Sequence, residues 1–236
     1  MDRQALDVVI PYKKGRSTEE LRFCLRSVEK NFPFIGRVFI IGELPEWASD
    51  EIIHIPSEQR HDKSTNVKAS HRIAANDERI SDNFILMNDD MFVMRELQEI
   101  PLWHGTTMSE FFALFGTKVP NSYYTDLIKR TLSIVPHDLP HWELHTPMVL
   151  NKSKLKYALD LTEVMRTMSR TIYGSLYLHG KGEYHQDVKI YQVSGSKNWQ
   201  NMPRFDTFVS SDDSTFEHVI MPVLIKMFPT KSKYEL

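Results

Sequence analysis

Phe84-Ile85-Leu86-Met87-Asn88-Asp89-Asp90-Met91-Phe92-Val93 is the stretch that decides how this chain folds. Four apolar residues in a row, entered from a polar segment, read as a buried strand. The strand runs straight into Asn88-Asp89-Asp90, and the sequence then turns apolar again at once. Adjacent carboxylates beside a buried strand are costly unless they are paired or bound to a metal. A hard divalent cation, Mn²⁺ or Mg²⁺, bridging a diphosphate offsets that cost through oxygen ligands. The other reading is a plain strand-to-turn junction, where Asn and Asp are common. The return of Met91-Phe92-Val93 toward the core favours the metal.

Upstream, strand and helix patterns alternate. Leu6-Asp7-Val8-Val9-Ile10-Pro11 is a short apolar run ended by proline, and a polar turn, Lys13-Lys14-Gly15-Arg16, follows it. Ser17 and Glu20 have the spacing of a capping box, and Leu21, Leu25 and Val28 follow at helical intervals. Gly36–Gly42 and Ile52–Ile55 read as strands, and Asn66–Asn76 as a helix. Such alternation predicts an α/β fold, with a mostly parallel sheet flanked by helices. Ligands of such sheets sit beyond the carboxyl ends of the strands. Pro11-Tyr12-Lys13 and Asn88-Asp89-Asp90 both lie there.

Downstream, Ser109–Phe115, Ser122–Leu132, Lys154–Met165 and Asp213–Met227 read as helices, and Asp187–Val193 as a strand. That makes a largely helical C-terminal half. With neither an internal repeat nor a low-complexity linker, residues 1–236 read as a single domain.

Composition narrows the class. Apolar residues make up 41% and charged residues 25%, which excludes a disordered tail or a collagen-like repeat. The formal net charge of −2 gives no global attraction to nucleic acid or anionic membrane. The lone cysteine, Cys24, excludes an internal disulfide and a Cys-rich zinc site. No apolar run approaches the ~20 residues of a membrane-spanning helix, so no stable membrane insertion is expected. The N-terminal residues lack the pattern of a signal peptide, and the expected location is the cytoplasm, a host's if the chain is phage-encoded.

The acidic motif closing a fourth strand resembles the metal motif of GT-A glycosyltransferases. More specifically, the chain resembles the Stealth family of sugar-phosphate transferases and its small phage and bacterial glycosyltransferase-like relatives. The likeness is carried by Glu20-Leu21-Arg22-Phe23-Cys24-Leu25-Arg26-Ser27-Val28, Pro45-Glu46-Trp47 and Phe84–Phe92. His145-Thr146-Pro147, Ser211-Asp212-Asp213 and Phe228–Glu235 follow in order. The resemblance implies a GT-A-like (Rossmann-like) fold, a nucleotide-sugar donor (a UDP-sugar first) and Mn²⁺ or Mg²⁺. Asp90 would be the main ligand with Asp89 beside it, and His145 a third ligand or an acid/base. Residues 1–100 would form the nucleotide-sugar-binding half and 101–236 the acceptor side. Stealth families open with a Tyr-Thr-Trp-Val-Asp-Gly type segment, whereas this chain has Val8-Val9-Ile10-Pro11-Tyr12-Lys13-Lys14-Gly15. The departure favours transfer of the sugar itself. A hexose-1-phosphate transferase and a non-catalytic nucleotide- or glycan-binding module are the alternatives.

Further residues fit this reading. Pro11, Tyr12, Lys13 and Arg16 end the first strand, where base and ribose sit. Lys63 and Asn66 lie near a helix N-terminus, which favours phosphate. Asn88 and Asp89 would orient the donor, and Arg170, four residues from Arg166, would face its phosphates or else be solvated. Asp212 and Asp213 open the last helix, where one carboxylate would deprotonate an acceptor hydroxyl or simply cap the helix. His137, His141 and His145 recur every four residues, but Pro136 and Pro140 break a helix there, and His-x-Glu-x-His is not a zinc-protease motif. Trp142, Tyr173, Tyr177 and Trp199 stack on a sugar or base, or belong to the core. The acceptor is a glycan, a protein or modified DNA; the oligomeric state is not legible.

Overall fold

The structure is a computed structural model that describes residues 5–15, 17–58, 63–118, 122–162, 166–190 and 206–236. Strand β1 (Leu6–Tyr12) leads through helix α1 (Glu19–Asn31) to β2 (Ile35–Gly42) and β3 (Ile52–Pro56). Helix α2 (Lys63–Asn76) then precedes β4 (Asn83–Leu86) and β5 (Met91–Val93). After β6 (Trp103–His104) come α3 (Met108–Lys118), α4 (Tyr123–Leu132), β7 (Met148–Asn151), α5 (Lys152–Asp160) and α6 (Ser169–Tyr177). The chain ends with β8 (Glu183–Tyr184), β9 (Lys189–Ile190), β10 (Phe208–Ser211), α7 (Asp213–Thr215), a π turn (Phe216–Ile220) and α8 (Met221–Met227).

Five strands form the central sheet in the order β3-β2-β1-β4-β7, parallel throughout except for β7 against β4. Val8, Val9 and Ile10 are fully buried, as a strand covered on both faces requires. Val8, Ile10 and Tyr12 pack with Leu21, Cys24, Leu25 and Val28 of α1. Val9 points the other way, toward Ala74 of α2, Leu155 and Leu159 of α5, and Ile172 of α6. Period-two alternation along one strand thus builds two cores.

A second sheet, β5-β10-β9, sits beyond the end of β4. Strand β10 runs antiparallel to β5 and parallel to β9. The buried residues Phe216, Ile220, Leu224 and Phe228 recur every four positions. An α-helix turning ~100° per residue drifts ~40° at each such step, and the π turn takes up part of that drift.

Several expectations are corrected. The fourth strand is Asn83–Leu86 and not Phe84–Met87. The helix expected over Lys154–Met165 is Lys152–Asp160, with 163–165 outside the described residues. Helix α6 was not anticipated, and Asp213–Met227 is interrupted by the π turn. Of Asp187–Val193, Lys189–Ile190 is strand, and 191–205 lie outside the described residues. The second half also contributes strands, with β7 completing the central sheet.

Candidate active site

Pairing between β1 and β4 stops at Val9–Leu86, while β1 and β2 stay paired as far as Tyr12–Gly42. The end of β1 therefore projects beyond β4, and Pro11 sits where β4 asks for no ladder donor. The chain leaving β4 carries Asn88, Asp89 and Asp90 into this opening. The Cys24 thiol, on α1 beneath it, donates to the Asn88 carbonyl at 3.7 Å.

The second sheet supplies the other side. Ser210 pairs with Met91 on one flank and with Lys189 on the other. This row sets Lys189 beside Asp90, the residue preceding Met91, with Nζ 2.8 Å from Oδ2. Strand β10 then delivers Asp212 and Asp213.

Electrostatics shows which charges gather here. Burial pushes the Glu20 carboxyl up to about 8, helped by Asp89, Asp90 and Asp213 and opposed by Lys189. Burial, followed by Asp89, Glu43 and Glu20, raises the Tyr12 phenol. The Cys24 thiol is raised by burial and by Asp89, Asp90 and Glu20. Three carboxylates, Asp89, Asp90 and Asp213, thus act on Glu20, with Lys189 opposing them.

This donor set suits a hard cation. It is all oxygen, and Glu20 Oε1 and the Tyr12 hydroxyl are buried without a hydrogen-bond partner among the described residues. Among the described residues no three His, Cys, Asp or Glu side chains come together so as to hold a metal ion by themselves. Mg²⁺ is commonly held by one or two carboxylates, with phosphates and water completing its shell. Asp90 and Asp89 fit that open pattern.

His145 is held by Asp187 through two hydrogen bonds. Its backbone N–H donates to Oδ1 at 2.9 Å and its Nδ1–H to Oδ2 at 2.7 Å. An ionised carboxylate only accepts, so Nδ1 carries the proton and Nε2 keeps its lone pair in the neutral ring. The Lys189 backbone N–H also reaches Asp187 Oδ1, at 3.3 Å, which ties the histidine to the acidic cluster.

Arg170 is corrected. It is neither solvated nor turned to a phosphate: it is buried in α6 and donates to the carbonyls of Leu144 and Thr146, at 2.8 and 2.9 Å. It braces the two residues flanking His145. Asp212 is the N-cap of α7, accepting from the Thr215 N–H at 2.8 Å, so the capping alternative holds for it. Asp213 is the member of the pair that acts on Glu20. Trp142 and Tyr173 are core residues, and Tyr177 packs on the Tyr173 ring; Trp199 and Arg16 lie outside the described residues. Lys13 is exposed after β1, Lys63 is the first residue of α2, and Asn66 is buried one turn further. His141 is buried, stacked on Phe111 at 3.9 Å, with burial lowering its pKa to about 4.

Glu20, Asp187 and Lys189 were not singled out from the sequence. The Ser17–Glu20 spacing predicts a capping box with Glu20 as one half. In fact Thr18 is the N-cap, Ser17 Oγ accepts from the Glu19 N–H, and no side chain caps Thr18's helix in the expected way. A signal was present: Glu20 lies three residues before Phe23 and four before Cys24, on the buried stripe of α1.

Residues 14–111 match the family model of Stealth protein CR2, conserved region 2. The matched segment holds Glu20, Asp89 and Asp90. An exopolysaccharide phosphotransferase of Nocardia farcinica is 30% identical over 115 residues, covering 41% of this chain and 21% of that protein. Exopolysaccharide phosphotransferase CpsY of Mycobacterium leprae is 34% identical over 92 residues, 35% of this chain and 17% of its own. The match spans about a fifth of these curated relatives' length. In three dimensions the chain is similar to the galactosyltransferase LgtC in complex with donor and acceptor sugar analogs. The TM-score is 0.51 at 13% identity, covering 97% of this chain and 98% of that one. An active-site mutant of LgtC gives 0.53, with the same identity and coverage. The fold is GT-A-like, and residues 14–111 carry the likeness to Stealth conserved region 2. The expected α/β architecture stands.

Proposed function

We propose that this chain transfers a sugar from a nucleotide-sugar donor to an acceptor hydroxyl. One observation carries the reading: Asp89 and Asp90 leave β4 at its carboxyl end, where Lys189 pairs with Asp90 and both aspartates, with Asp213, act on the Glu20 carboxyl. Residues 1–100 form the donor side and 101–236 the acceptor side. Pro11, Tyr12 and Lys13 flank the base and ribose, uridine being the first base to test. Asn66 serves the phosphates, and Asn88 and Asp89 orient the sugar. Asp90 and Asp89 hold Mn²⁺ or Mg²⁺, which when bound neutralises charge on the departing diphosphate. The acceptor oxygen bonds to the anomeric carbon, the bond from that carbon to the diphosphate oxygen breaks, and the acceptor proton passes to Asp213. His145, oriented by Asp187, offers its Nε2 lone pair to the cation or to a proton.

On the acceptor side, His104, Glu110, Asp138, His179, Lys181 and Tyr184 line an open cleft of about 760 Å³. Its polar rim and half-exposed tyrosine suit a hydroxyl-rich acceptor such as a glycan; a glycosylated protein or modified DNA shares that chemistry. No helix among the described residues is long and apolar enough to cross a membrane, and we place the reaction in the cytoplasm.

The test is a thermal-shift screen of nucleotide sugars with Mn²⁺, followed by product analysis. A donor at ~100 times its dissociation constant stabilises the fold by about 2.7 kcal/mol. Released nucleoside diphosphate supports sugar transfer. The match of residues 14–111 to Stealth conserved region 2 favours a second reading, hexose-1-phosphate transfer, whose product is the nucleoside monophosphate. Binding without turnover of any donor would leave a binding module.

A further inference from the structure

Lys189 is anchored more firmly than a surface lysine. Its backbone is paired to Ser210 of β10, its N–H reaches Asp187, and its side chain is 12% exposed against 16% for Asp90. The ammonium lies 2.8 Å from Asp90 Oδ2. Asp89, Asp90 and Asp213 all act to keep the Glu20 carboxyl protonated, and Lys189 opposes them there. A divalent ion on Asp90 would face this ammonium at short range, and like charges in a half-buried site repel strongly.

We propose that Lys189 is the resident counter-ion of the acidic cluster, competing with the divalent cation for Asp90 until a diphosphate arrives. The ammonium then moves onto a diphosphate oxygen, and the cation takes Asp90. This rests on the proposed donor site. Two consequences follow. The protein alone binds the cation weakly. Cation and diphosphate each raise the other's affinity by the same factor, as linkage requires.

Mn²⁺ binding to the full chain, followed by electron paramagnetic resonance, tests this in wild type, Lys189→Met and Lys189→Arg, with and without inorganic pyrophosphate. Without pyrophosphate, Lys189→Met should bind Mn²⁺ at least ~10-fold more tightly than wild type, since ~1.4 kcal/mol is a factor of ten. Its coupling between Mn²⁺ and pyrophosphate should shrink. Lys189→Arg keeps the charge and should stay near wild type. Circular dichroism melts confirm that each variant is folded. Equal Mn²⁺ affinity of wild type and Lys189→Met, with Mn²⁺ bound by both, overturns this proposal and leaves the donor site standing. Failure of both to bind Mn²⁺ even with pyrophosphate overturns both.

Discussion

His145 and Asp187 form a two-point dyad: one carboxylate takes both the backbone N–H and the ring Nδ1–H of the histidine, at 2.9 and 2.7 Å. The carboxyl is held below the usual aspartate range: burial, the largest single influence, works to raise it, but the hydrogen bonds and charge of His145 together with the Lys189 N–H outweigh burial. Asp187 therefore stays ionised across neutral pH and fixes the imidazole tautomer. Replacing Asp187 by Ala should cost about 10–100-fold in kcat, the usual loss when a carboxylate behind a functional histidine is removed. His145→Ala should cost at least as much, and the double variant little more. Rates and melting temperatures on the same samples check this. A large fall in melting temperature with specific activity kept would make the dyad a packing feature.

Glu20 gives the fold a pH dependence of definite sign. Its carboxyl titrates near 4.5 in the unfolded chain and at about 8 in the fold. Between those values the folded protein holds the extra proton, so this contribution is full below pH 4.5 and lost as pH rises through 8. Urea midpoints from pH 5 to 9 should fall more steeply for wild type than for Glu20→Gln. Parallel profiles would show that the carboxyl is not shifted.

Arg170 should prove structural. Arg170→Ala leaves the Leu144 and Thr146 carbonyls without their donors, and each buried unsatisfied group costs about 1–3 kcal/mol. Arg170→Lys should rescue little, because an ammonium lacks the planar fork that spans two acceptors. Urea unfolding measures the loss, and equilibrium dialysis of the nucleotide should show donor affinity unchanged in the folded fraction. A selective loss of nucleotide affinity with full stability would restore a phosphate-facing role.

The neighbouring aspartates should separate cleanly. Asp212→Ala removes a helix cap and should cost about 1 kcal/mol of stability with specific activity retained. Asp213→Asn should keep the fold and impair transfer to the acceptor more than hydrolysis of the donor by water. Nucleotide release with and without acceptor distinguishes them. Equal loss of both activities in Asp213→Asn would put that carboxylate in the donor site.

What was legible followed from local pattern. Val8-Val9-Ile10 and Val38–Ile41 are continuous apolar runs because both faces of a parallel sheet are covered, and Asn88-Asp89-Asp90 stands out because apolar sequence brackets it. The second sheet was hidden. Strand β10 pairs with β5 across more than a hundred residues and with the two-residue β9, pairings that leave no periodicity. Lys189 and Asp187 belong to that long-range register. Arg22 and Arg26, four apart on α1, clasp the buried Glu235, and Arg22 also pairs with the exposed Glu19. The two ends of the resemblance, Glu20–Val28 and Phe228–Glu235, are one contact in space.

The π turn over Phe216–Ile220 makes this stretch intolerant of a change in length that its surface position would otherwise absorb. It works as a phase shifter: Asp213 faces the acidic cluster at one end while Leu224 and Phe228 stay seated in the core at the other. Removing a single residue within it would restore plain α winding, which advances ~100° per residue, and would force a choice between the two ends. A one-residue deletion here should therefore abolish transfer or melt the helix, whereas substitution of the exposed Glu217 or His218 should do neither. In a library of random deletions, this turn should be empty among active clones.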